Sequence, residues 1–378
     1  MLDASAGNPT EGTCADLETL RNAGLDMAGL SRESPLEARP EWFELLRRSV
    51  FAGDPGVRYH YLADGGRVTA LLPVRLAGGI VRKVEALSNY YTSLYAPLLA
   101  DEADAAALRR LLERAAAERG GVHVMRFAPM DRDARIFREL QDQLRAIGWK
   151  PFRFFCFGNW YLKVERDWEH YLGQRSANQR GQIKRKTRRF SEAGGLMEVI
   201  AEARRAGEAL AAFQEVYSAS WKTPEPHPEF IPALVRHLAA RGALRMGVAR
   251  LNGQAVAAQL WFVTGKKACI YKVAYHEAFA SHSLGYILTA HLLRHVIEQD
   301  RVAEVDFLIG DEEYKKTWMS DRRERWGIIA YNPRTLPGAA LALREIAARG
   351  LRSARAWIES RLNTAPPDAP SRREKGSR

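Results

Sequence analysis

The residues best suited to chemistry lie between Gln259 and Trp318. A strand-forming run, Ala268-Cys269-Ile270-Tyr271-Lys272-Val273-Ala274-Tyr275, leads through His276 to Ser283-Leu284-Gly285-Tyr286, where a helical pattern begins. Ser283 is a natural N-cap. Gly285 leaves first-turn N–H groups unshielded, and a helix start of that kind suits a pyrophosphate. Neither a P-loop nor a dinucleotide fingerprint accompanies it, and helix packing explains one such glycine equally well. Downstream, Val305-Asp306-Phe307-Leu308-Ile309-Gly310-Asp311 leaves an apolar strand through a glycine, and Glu312-Glu313-Tyr314-Lys315-Lys316-Thr317-Trp318 follows at once. Carboxylates, lysines and aromatics just past a strand end can take up protons or offset developing charge. The same residues also read as a polar loop with both lysines in solvent.

A second group is basic. Between Arg175 and Arg189, Ser176 and Gln179 fit a capping box. Arg180, Lys184 and Arg188 then fall on one helix face, and Ile183, Thr187 and Phe190 on another. Such a stripe meets phosphate or RNA, or is a solvated face. No aromatic interleaving accompanies it, so sequence-specific nucleic-acid recognition is not expected. His291 and His295 share a helix face, but Leu292 stands where a zincin has Glu and there is no evident third ligand, so no metal is expected. Cys269, near His276, lies inside a strand pattern, where a free cysteine is usually core packing.

These residues sit in a chain of 378, with 46% hydrophobic and 27% charged residues and a net charge of +12. The composition is globular and excludes pervasive disorder, collagen and coiled coil. The excess charge favours anionic partners without choosing among them. No apolar run approaches the roughly 20 residues of a membrane span, the start has no signal-peptide pattern, and three scattered cysteines form no disulfide framework. A cytoplasmic protein is expected.

The elements repeat. In the first half, Val57–Leu62 and Val68–Val74 flank the turn Asp64-Gly65-Gly66. Strands near Val84–Leu87 and Thr92–Leu98, a helix over 103–118, a strand at Val122–Phe127, a helix over 134–147 and a long strand at Phe152–Val164 follow. In the second half, helices over 207–221 and 231–241 precede strands Leu244–Leu251 and Ala255–Val263 about the turn Asn252-Gly253. Strand Lys267–Tyr275, helix 284–299 and strand Val302–Leu308 complete it. The shared order suggests duplication. The expected organisation is a loose leader (1–35), an N-terminal α/β domain (36–165), a C-terminal one (166–335), a packing helix (336–362) and a disordered basic tail (363–378).

Taken together, Gln259-Leu-Trp, Ile-Tyr271-Lys272-Val-Ala-Tyr, Ser283-Leu-Gly285, Val-Asp306-Phe-x-x-Gly310-Asp311 and Tyr314-Lys315-x-x-Trp318 resemble the GNAT-type acyltransferases of the CelD-like group. That group is associated with cellulose and envelope polysaccharide synthesis and is related to the Fem-type aminoacyl ligases. The resemblance covers roughly residues 174–332. It implies an α/β (α+β) fold of tandem GNAT-like domains, the first degenerate, each a mixed twisted sheet flanked by helices. It further implies acetyl-CoA or another acyl-CoA as co-substrate, held where two parallel strands part. Tyr271, Val273, Ala274 and Tyr275 would lie along the acyl-CoA, and Ser283, Gly285 and Tyr286 at its pyrophosphate. The usual GNAT phosphate loop is not intact here; His282-Ser283-Leu284-Gly285 is its nearest relic. Fem relatives also lack that loop and use aminoacyl-tRNA.

The implied reaction is direct acyl transfer to an amine on a small molecule, glycan or peptide. Tyr314 and Lys315 would stand at the reacting carbonyl, and Lys315 would offset its negative charge. Asp311 is the first candidate for the base and Glu312 the second, while Asp306 orients the turn. Arg180, Lys184, Gln259, Lys272 and Trp318 are expected at the substrates, and Trp326 is a further candidate for the acceptor cleft. The alternatives are a Fem-like transferase using tRNA and a non-catalytic anion- or RNA-binding envelope-assembly protein.

Overall fold

A computed structural model describes residues 10–30, 35–100 and 105–362. The expected tail and the first nine residues of the expected leader lie outside the described residues. The strands are β1 (Thr10–Cys14), β2 (Val57–Asp64), β3 (Arg67–Ala77), β4 (Lys83–Ala86), β5 (Leu98–Leu99), β6 (Val124–Asp131), β7 (Lys150–Lys163), β8 (Gly195–Ile200), β9 (Leu244–Leu251), β10 (Gln254–Thr264), β11 (Lys267–Tyr275), β12 (Glu304–Asp306) and β13 (Asp321–Tyr331). The helices are α1 (Leu17–Asn22), α2 (Pro40–Ser49), α3 (Ala105–Ala117), α4 (Arg135–Ala146), α5 (Trp168–Gly173), α6 (Ala177–Glu192), α7 (Ala206–Ser218), α8 (Phe230–Ala240), α9 (Leu284–Glu298), α10 (Glu313–Trp318) and α11 (Leu336–Leu362).

All strands join one mixed sheet in the order β1-β2-β3-β4-β6-β13-β7-β12-β11-β10-β9-β8, with β5 beside β3. From either edge inward the pattern is the same: a set of antiparallel strands, then one parallel neighbour, β4 beside β6 and β11 beside β12. The Gly-containing turns make the hairpins β2–β3 and β9–β10, as their spacing predicts. At the centre the halves exchange strands. β13, from the second half, lies against β6, and β7, from the first, lies against β12. The fold is thus the expected tandem, mixed α/β arrangement.

Apolar alternation decides which face each strand buries. On β10, Ala258, Leu260 and Phe262 pack toward the core that holds Phe213 and Leu234 of α7 and α8. Ala257 and Trp261 pack toward α9 through Leu288 and Leu292.

Four expectations need correction. Residues 10–30 are no loose leader, because β1 pairs with β2 and α1 buries Leu17 and Leu20. Thr92–Leu98 is irregular apart from β5, and β12 is shorter than Val302–Leu308. The segment bends where Asp306 accepts from the Leu308 N–H and Leu308 takes a φ of 56°. Helix α11 packs through Leu341 and Ala342, while Leu343, Ile346 and Leu351 stand exposed. No helix among the described residues is long and apolar enough to cross a membrane.

Candidate active site

The site begins with two strands that part. β11 and β12 pair in parallel only over Lys267–Glu304, Ala268–Val305 and Cys269–Asp306. Beyond that the chain after β12 follows β7 instead. The Phe307 N–H donates to the Trp160 carbonyl (3.0 Å), and Gly310 bridges to Asn159. Asp306 enforces the divergence. Its buried carboxylate accepts from Asn159 (2.6 Å) and the Leu308 N–H (2.7 Å), and pairs with Lys267 and Arg323. Burial opposes its ionisation, but Lys267 and Arg323 outweigh this and hold it well below the usual carboxylate range. The structural role expected of Asp306 fits this geometry.

Into the gap opens a cavity of about 390 Å³. It is lined by Ile270, Tyr271, Lys272 and Val273 of β11, by Phe307, Leu308 and Ile309, and by Glu312, Tyr314 and Lys315. Lys315 is buried. It donates to the Ile309 carbonyl, pairs with Glu312 (2.7 Å) and lies over the Phe307 ring. Three ammonium N–H groups minus these two partners leave one for a ligand.

Helix α9 starts beside this gap. Ser283 adopts a left-handed conformation (φ 55°) and its side chain makes no cap, contrary to its expected role. In the first turn the Tyr286 N–H already donates to the Ser283 carbonyl (3.0 Å), which leaves the N–H groups of Leu284 and Gly285 without intrahelical partners. A Cβ added at Gly285 would lie 4.0 Å from the Val273 side chain, which also lines the cavity. Next to this helix start a pocket of about 210 Å³ is lined by Arg185, Lys186, Arg189, Phe190, Ser281, His282 and Ser283. Tyr286 stacks obliquely on Trp318 (4.7 Å), which sets α10 against the first turn of α9.

The expected site residues divide accordingly. Tyr271, Lys272, Val273, Tyr314 and Lys315 come together at the cavity, and Ser283, Gly285 and Tyr286 adjoin it. Ala274 is fully buried in the α7–α8 core, and Tyr275 lies off the cavity wall against Trp221. Asp311 is not on the wall either. It is clamped by Arg322 (2.6 Å), whose hydrogen bonds lower its pKa, so it is a poor base. Gln259 is buried and binds the Gly285 carbonyl (2.9 Å) and Thr289, tying β10 to α9. Trp318 is core, and its carbonyl accepts from Tyr171. Trp326 packs against Phe155, away from the cavity. Arg180 bonds the Arg175 carbonyl, and it is Arg185, Lys186 and Arg189, not Arg180 and Lys184, that face the pocket at α9. Among the described residues no three His, Cys, Asp or Glu side chains gather as a metal site.

Sequence reasoning missed the far wall. Tyr90 and Tyr91, from the first half, reach across to Glu225, which also pairs with Lys272 (2.7 Å). Burial works against the Glu225 charge, but these hydrogen bonds prevail and hold its pKa at about 2. Lys222 lines the same cavity. The only sequence signal for Lys222 and Glu225 was the prolines 224, 226 and 228, which mark a loop and say nothing of its neighbours. The corresponding gap in the first half is stopped by its own chain, since the Ala128 and Pro129 carbonyls accept from Ser88 and the Tyr95 N–H.

Comparisons agree with this reading of the fold. Residues 177–316 match the family model described as an acetyltransferase (GNAT) domain. No curated protein sequence matches the chain. Among solved structures, the C-terminal domain (DUF2156) of an Agrobacterium fabrum protein described as a lysylphosphatidylglycerol synthetase is 14% identical, covering 88% of this chain and 96% of its own, with a TM-score of 0.55. FemX is 10% identical over 85% of this chain and 97% of its own, with a TM-score of 0.56. L-PGS from Bacillus licheniformis is 15% identical over 80% and 95%, with a TM-score of 0.50. At such identities the likeness is one of fold. The fold is GNAT-like, and the match over residues 177–316 supports acyl transfer in general.

Proposed function

We propose that the chain is an N-acyltransferase moving an acetyl or other acyl group from acyl-CoA directly to an amine, with the gap between β11 and β12 as its working site. The parted strands carry this reading, because they leave the β11 backbone edge open beside Lys315 at the cavity. The β11 backbone would meet the thioester carbonyl, and the remaining Lys315 N–H would offset charge on its oxygen. The α9 start, with Arg185, Lys186 and Arg189, suits the diphosphate and 3′-phosphate of CoA. Much of the acceleration would come from holding amine and thioester together. Glu312 is the better placed base. Residues 166–335, completed by β7 of the first half, then form the working domain, and 36–165 a domain whose gap is plugged. An amine on an envelope glycan or peptide is the acceptor the resemblance suggests.

Calorimetry with CoA and acetyl-CoA tests the donor. Saturable 1:1 binding, weakened by Gly285→Val, is expected. Absence of CoA binding together with tRNA binding of steep salt dependence would replace this reading by Fem-like aminoacyl transfer.

A further inference from the structure

Three lysines and one carboxylate, Glu312, line the cavity, and a second carboxylate, Glu225, pairs with one of those lysines. Lys272 is matched to Glu225 (2.7 Å) and Lys315 to Glu312 (2.7 Å). Lys222 has no ion pair among the described residues. Its ammonium lies over the Trp221 ring, 5.7 Å from the centroid, and Lys272 and Lys315 both disfavour its charge. Burial, then Lys272, lower its pKa, while Glu225 and Glu312 counter only partly. An ammonium group left without a counter-charge inside a cavity is costly. The loop also holds it there. Tyr217 donates to the Thr223 carbonyl (3.2 Å), Ala219 accepts from the Glu277 N–H (3.3 Å), and Glu225 is bound by three side chains.

We infer that the acceptor amine carries an oxyanion, a carboxylate or a phosphate, and that Lys222 binds it. This rests on the acyl-transfer reading and adds to it the acceptor's chemical class. A neutral amine or a polyamine would leave Lys222 without a partner. An acidic amine would complete the charge pairing and be oriented with its nitrogen toward the gap.

The experiment uses the full chain with acetyl-CoA and two matched amine pairs: 2-aminoethyl phosphate against ethanolamine, and β-alanine against β-alaninamide. The anionic member of at least one pair is expected to show a kcat/KM higher by about tenfold or more, as one charge-assisted hydrogen bond allows. Lys222→Ala should remove that preference by raising KM for the anionic member, and Lys222→Glu should reverse it. Equal rates within both pairs, or a Lys222→Ala loss falling equally on both members, overturns the inference. Equilibrium binding of 2-aminoethyl phosphate, followed by NMR without any donor, gives a second readout. About tenfold weaker binding to Lys222→Ala supports the site even if no turnover occurs, and unchanged binding refutes it. Loss of CoA binding alone would count against the acyl-transfer reading and leave the oxyanion site standing.

Discussion

A Cβ built on Gly310 falls 2.8 Å from the Lys315 ammonium and 2.4 Å from a Glu312 carboxylate oxygen. Gly310 also has a φ of 109°, which other residues rarely adopt. The glycine therefore admits the Lys315–Glu312 pair to the cavity wall. Gly310→Ala is expected to cost about 1–3 kcal/mol in backbone strain and to displace the pair. Thermal unfolding would show the first effect, and a drop in acetyl transfer exceeding the loss of folded protein the second.

Lys315→Met keeps length and apolar bulk while removing the charge. If the ammonium offsets charge at the reacting carbonyl, kcat should fall by about 10²- to 10³-fold, with the acetyl-CoA KM little changed. Steady-state kinetics on protein with a native circular-dichroism spectrum decides this, and undiminished kcat removes Lys315 from the mechanism.

The two acidic candidates make opposite predictions. Asp311 is held ionised by Arg322 outside the cavity, so Asp311→Asn should leave the pH–rate profile in place. Glu312→Gln, on the cavity wall, should lower kcat and flatten the acidic limb. Matching profiles for the two variants would exclude Glu312 as the base.

Acid sensitivity follows from Asp306 and Glu225. Both folded-state pKa values are depressed. Their contribution is thus present above the unfolded carboxylate range, near pH 4, and is lost as pH falls through the folded values, about 2 for Glu225. Stability should decline steadily below about pH 4. Asp306→Ala should cost about 3 kcal/mol or more, because Lys267 and Arg323 lose their shared partner. Chemical denaturation at pH 7 and pH 3 measures both.

The hairpins were legible because the Asp64-Gly65-Gly66 and Asn252-Gly253 turns announce themselves locally, and α9 because of its long apolar periodicity. β13 escaped notice. Its first half, Asp321-Arg-Arg-Glu-Arg325, looks like a solvated run, yet Arg323 and Arg325 find Asp306 and Asp131 only through long-range pairing. Lys315 was legible from its aromatic neighbours and from the resemblance. Tyr90, Tyr91, Lys222 and Glu225 were not, since they meet across the two halves and no local pattern encodes that meeting. Gln259 and Trp318 were read as binding residues because motif membership does not distinguish contact with a ligand from support of the backbone.

The crossing of β7 and β13 at the middle of the sheet makes each half depend on the other. Each half closes on a strand loaned by the other, so removing either would unzip the survivor along a hydrogen-bonded edge. A truncation meant to isolate the second half must therefore carry residues 150–163 with it, because they fill the place between β12 and β13.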